Sequence, residues 1–120
     1  MGARKILDAV GREALVSWVH GDRNNEVTQT AVRYSLQVLA SVAPGSSVEV
    51  RVPPYGAVQV IQGPSHSRGT PSAVVETTPD VWLALVTGAL QWESASSSGV
   101  VQASGVRSDL SAWLPLVPLP

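Results

Sequence analysis

In SVEVRVPPYGAVQVIQ, residues 47–62, apolar and polar residues alternate, stop at a pair of prolines, and resume. Val48, Val50 and Val52 point one way and Glu49 and Arg51 the other, so Ser47–Val52 reads as a half-buried strand. Pro53-Pro54-Tyr55-Gly56 reads as a turn, with the prolines setting φ and Gly56 free to take a positive one. Ala57–Gln62 is a second strand, and the two should pair as a hairpin.

Upstream, Glu26–Ala43 is the clearest helix. Val32, Leu36, Leu39 and Ala43 form one apolar row, and Ala31, Tyr34, Val38 and Val42 form a second. Only Gln29, Arg33, Gln37 and Ser41 make a polar stripe, so this helix should be covered on two sides. Pro44-Gly45 ends it. Arg4–His20 reads as an earlier helix with Leu7, Val10, Ala14 and Trp18 recurring at three- and four-residue steps, and residues 21–25 break it.

Downstream, residues 63–71 read as a polar loop and Ala73–Thr77 as a third strand. Thr78-Pro79-Asp80 opens a helix with a hydroxyl cap, a proline at the first position and a carboxylate near the positive dipole end. Its buried face is Trp82, Leu85 and Val86, and Gly88 suits its C-terminal cap. Ala89–Ser98 is a short helix or turn, Val100–Ser104 a fourth strand, and Ser108-Asp109 caps a last turn through Trp113. The proline-rich end, residues 114–120, suits neither helix nor central strand and should lie extended on something. The class is therefore α+β with a mostly antiparallel sheet.

Composition narrows the function. The 120 residues suit one domain, divided here into an N-terminal helix and break (1–23), a core (24–116) and an apolar proline-rich tail (117–120). Charged residues are 14%, below the usual ~25%, while apolar residues are 44%, which leaves apolar surface seeking a ligand or partner. Net charge is −1 and no basic run exceeds Arg4-Lys5, so no face displaces counterions from nucleic acid. The absence of cysteine excludes disulfides and thiolate chemistry, and fits a cytoplasmic location. No apolar stretch suits stable membrane insertion, and the N-terminus lacks the apolar core of a signal peptide.

Residues 48 to about 116 resemble the sterol carrier protein type 2 domain. The likeness rests on Thr78-Pro79-Asp80-Val81-Trp82 through Thr87-Gly88-Ala89-Leu90, then Gly99 through Gly105, Asp109-Leu110 and Leu114-Pro115-Leu116. Residues 31–116 look closer still to its bacterial, mostly actinobacterial, sterol carrier orthologue branch. Ala31-Val32-Arg33-Tyr34, residues 47–59, residues 63–71 and Val75-Glu76-Thr77 carry that likeness. The resemblance implies a sheet of about five strands with helices packed on one face, and an apolar tunnel for fatty-acyl or sterol-like molecules. The chain departs from the eukaryotic pattern in having no Phe, and in carrying Ala89 where that pattern has Lys.

The candidate ligand-binding residues are Leu36, Leu39, Val60, Trp82, Leu85, Trp92, Val101 and Trp113, each of which taken singly reads more readily as ordinary core. Arg51, His66 and Arg68 are the candidate polar anchors for an acidic head group, with Arg51 read more readily as a solvated strand residue paired with Glu49 or Glu76, and the His66 loop as a structural loop or partner surface. No nucleophile elbow, phosphate loop or metal-ligand spacing occurs, so the expectation is a protein that is not an enzyme and holds no cofactor or metal. The leading expectation is binding or carriage of an apolar small molecule in an internal pocket. The alternative is an interaction or accessory module, for which a homodimer is open. A third reading is a domain accessory to an enzyme, resembling the C-terminal module of mycothiol-dependent maleylpyruvate isomerases.

Overall fold

A computed structural model describes residues 5–63, 73–105 and 108–119. In chain order the elements are α1 (Asp8–Val19), α2 (Asn25–Val42), β1 (Val48–Val52), β2 (Gly56–Val60), β3 (Ala73–Thr77), α3 (Pro79–Thr87), α4 (Trp92–Ser98) and β4 (Val101–Ser104). Local chemistry sets several ends. The Asn24 side chain accepts from the Val27 N–H at 2.8 Å and starts α2. Thr78 caps α3 with Pro79 behind it, and Gly88 closes it in the left-handed conformation at φ 90°.

The sheet order is β2-β1-β3-β4. β1 pairs antiparallel with β2, as the hairpin reading requires, with Val50 opposite Val58. β3 then pairs parallel with β1, and β4 antiparallel with β3. Among the described residues the sheet has the four strands read from the chain rather than the about five that the resemblance implied, and it is mixed, with two antiparallel pairings and one parallel.

The physical reason lies at the base of β1. Ile61, at φ 69°, turns the chain as β2 ends. Its N–H donates to the Ala43 carbonyl at 2.7 Å, and its carbonyl accepts from the Ser47 N–H at 3.0 Å and the Ser47 hydroxyl at 2.7 Å. A left-handed β-branched residue is costly, and these three bonds hold it there. Gly45, at φ 146°, lets the backbones pass, since a Cβ there would overlap the Ile61 carbonyl. The Ala73 N–H then donates to the Ser47 carbonyl at 3.2 Å, so β3 starts beside β1.

One sheet face is buried and the other open. Val48, Val50, Val52, Val60, Ala73, Val75 and Thr77 are buried, whereas Arg51, Gln59, Gln102 and Ser104 are exposed. Helices cover the buried face: α2 contacts β2 and α3, and α1 packs on α2. Gly11 of α1 faces the Tyr34 ring, where any Cβ would collide with it. The Tyr34 hydroxyl donates to Asp8 Oδ1 at 3.0 Å.

The proline-rich end rests on α3. The Val117 N–H donates to the Val86 carbonyl at 3.0 Å, and the Leu119 N–H to the Thr87 carbonyl at 3.3 Å. Two carbonyls that a helix C-terminus leaves without partners are satisfied in this way. Val117 is buried, which adds the end segment to the core.

Candidate functional site

The eight apolar candidates fall into three settings. Leu39, Val60, Trp82, Leu85, Trp92 and Val101 are buried in one continuous core. Trp82 is 0% exposed, and its indole N–H donates to the Ser35 hydroxyl at 2.9 Å, which in turn donates to the Val32 carbonyl at 2.9 Å. A buried indole needs such an acceptor, and here the core supplies it. Trp113 is half-buried beside Ile61 and Asp109 at a shallow surface hollow. Hydrogen bonding from the Ser111 N–H holds the Asp109 carboxyl below its usual pKa.

Leu36 alone of the eight borders the apolar cleft between α2 and β2. This cleft encloses about 430 Å³, within the range of small-molecule sites. Ile6, Leu36 and Val58 supply apolar walls, Tyr55 and Gly56 one end, and Arg33 the charged group. The hollow exists because β2 opens on Gly56. A Cβ there would lie 3.3 Å from Leu36 Cδ1, tighter than ordinary contact. Gly56 does not take the positive φ expected of a turn residue; its contribution is room.

Polar groups hold the cleft open at both rims. Gln37 bonds Ile6 twice, accepting from its N–H and donating to its carbonyl, both at 2.9 Å. That pair fastens the segment before α1 across the helix. Arg33 Nε donates to the Tyr55 carbonyl at 3.1 Å. Its terminal nitrogens have no partner among the described residues, so a charged fork stands at the cleft.

Of the polar anchors chosen from sequence, Arg51 is the one within the described residues, and it lies away from the cleft. Arg51 sits on the open sheet face, 2.9 Å from Glu49 and 3.8 Å from Glu76. It is engaged by acids and far from the apolar face. His66 and Arg68 fall outside the described residues. Arg33 and Gly56 were the missed positions. Their signal was present: Arg33 and Gln37 flank Leu36 on the helix, and a Gly-Ala pair opens the facing strand.

A second cleft of about 480 Å³ lies between the end of α1 and α3, with Trp18, Arg23, Asp80, Ala84 and Leu119 among its walls. Among the described residues, no group of three or more His, Asp or Glu is placed to hold a metal ion, and no helix is long and apolar enough to cross a membrane.

A sheet with helices on one face is part of what the sequence resemblance implied, and residues 22–116 match the family described as bacterial SCP ortholog. The chain belongs to this family. No curated protein matches it. Within this bacterial SCP-orthologue chain, the matched span takes in α2, all four strands, α3 and α4, and leaves out α1. Both walls of the α2–β2 cleft, apart from Ile6, therefore lie inside the family region.

Proposed function

We propose that this chain binds an apolar small molecule with an acidic head group, seated in the α2–β2 cleft rather than in a closed tunnel. The observation that carries the reading is an apolar hollow with the Arg33 guanidinium beside it, its terminal nitrogens without a partner among the described residues. Family membership supports a lipid-like ligand. The buried candidates from sequence act as the wall behind the site, and Leu36 is the contact among them.

The energetics set the affinity. Eight methylenes laid in the cleft gain about 6 kcal/mol. A charge-assisted bond to Arg33 adds about 1.5–3 kcal/mol. Association costs at least about 4 kcal/mol, which leaves dissociation constants on the order of 0.1–1 mM. Binding tighter than about 1 μM would require the core itself to open around the ligand.

Titration with decanoate, followed by amide chemical shifts, tests this. Saturable shifts at Leu36 and Val58 are expected, weakened about tenfold or more in Arg33→Gln and with decanol in place of decanoate. Uniform or absent shifts across the protein would remove the cleft reading.

The packed interior around Trp82 favours a second reading, an accessory module acting through its exterior as a homodimer. Light scattering at micromolar concentration separates the two, because the cleft reading needs only a monomer. No reaction is proposed for the chain.

A further inference from the structure

We propose a second binding site, for a small zwitterion with an apolar side chain such as a free aromatic amino acid, in the cleft between α1 and α3. It is independent of the α2–β2 cleft and shares none of its lining residues.

The cation comes first. The Arg23 guanidinium lies 3.8 Å from the centre of the Trp18 ring, and its Nε donates to the Trp18 carbonyl at 2.9 Å. Stacking and that bond fix the plane of the fork. The two terminal nitrogens remain without partners among the described residues, matched in geometry to a carboxylate.

The anion stands across the cleft. Asp80, in the first turn of α3, lines the same hollow, and among the described residues no ion pair within 4.0 Å engages it. Two opposite charges border one hollow without meeting. A simple anion would gain from Arg23 and lose to Asp80, and a simple cation the reverse. A ligand bearing both charges gains from each.

Apart from Thr87, the remaining walls are apolar or glycine. Trp18, Ala84, Gly88 and Leu119 leave the hollow of about 480 Å³. Trp18 is 4% exposed, and its Nε1 is the one buried side-chain polar atom among the described residues that lacks a hydrogen-bond partner. Such a donor normally finds an acceptor. A carboxylate entering beside Arg23 would arrive next to that same ring.

Phenylalanine, 3-phenylpropionate and phenethylamine, titrated separately into the intact chain, provide the test, read on the Trp18 indole N–H resonance. Saturable shifts are expected with phenylalanine, and binding at least about tenfold weaker with either half-charged analogue. Arg23→Gln and Asp80→Asn should each weaken phenylalanine about tenfold while leaving decanoate shifts at Leu36 unchanged. An unmoved Trp18 resonance at saturating phenylalanine would overturn the proposal. So would 3-phenylpropionate binding as well as phenylalanine with Asp80→Asn without effect, since that is a plain anion site.

Discussion

Ser35 and Leu36 are buried neighbours on α2, and only Leu36 also borders a hollow. Ser35 is sealed against Trp82, whose indole fills its space and donates to the Ser35 hydroxyl. Leu36 borders a hollow, because the strand opposite begins with Gly56 and Ala57. Both regions are apolar. What separates them is the size of the residue facing the helix. The same holds on the far side of the molecule, where Ala84, Gly88 and Ala89 line the second cleft. Both hollows have small residues in their walls beside large apolar ones such as Trp18 and Leu36.

The largest test of that contrast is Trp82→Ala. Removing a fully buried indole should cost about 3–5 kcal/mol, read as a large fall in the urea or thermal midpoint. If the variant were nearly as stable as the parent, the interior would already be loose and the closed-core description would fail. Ser35→Ala asks the same question of one polar contact. It leaves the Trp82 N–H buried without an acceptor, for an expected loss of about 1–3 kcal/mol.

Gly56→Ala probes the other side. The added methyl meets Leu36 Cδ1 at 3.3 Å and narrows the cleft. Decanoate should bind several-fold more weakly, while stability changes by less than about 1 kcal/mol, because crowding opposes the reduced freedom of the unfolded chain. A large loss of stability would mean that the hollow is structural rather than free space.

The seam between α1 and α2 is a closed contact with a titratable group inside. Burial, then the hydrogen bond and charge of Asp8, raise the Tyr34 phenol above its usual 10.0, with Arg12 opposing. The folded state therefore holds its proton more tightly than the unfolded chain. Its stabilising effect is complete below pH 10 and declines as pH rises beyond it. Urea midpoints between pH 9 and about pH 11 should fall less steeply in Tyr34→Phe than in the parent. Arg51→Ala should do least of all. Its partners lie on the open sheet face, so a change within about 1 kcal/mol and unaltered decanoate binding are expected.

Local chemistry was largely legible in the chain. The two apolar rows of Glu26–Ala43 correspond to α2, and the Thr78-Pro79 start and Gly88 stop to α3. The hairpin alternation around Pro53-Pro54 is the β1–β2 pairing, although β2 starts at Gly56 and ends at Val60 rather than spanning Ala57–Gln62. The expected extended rest of the proline-rich end on some surface is its seat on α3. Those features depend on residues within a turn or two of one another. The candidate site was less legible. Choosing by hydrophobicity picks Leu39, Trp82 and Leu85, since that is what a core selects for, and passes over Arg33 and Gly56.

Sequence by itself determined the α+β class, the caps of α3, the hairpin and family membership, because periodicity, capping and turn chemistry are short-range. Only the tertiary structure decided that β3 joins β1 in parallel, that Trp82 and its neighbours are fully buried, and that the arginine beside the apolar hollow is Arg33 rather than Arg51. Each of those is a question of which distant surfaces meet and how much volume remains between them. The backbone turn at Ile61 and the missing side chain at Gly56 answer it through contacts that no local pattern encodes.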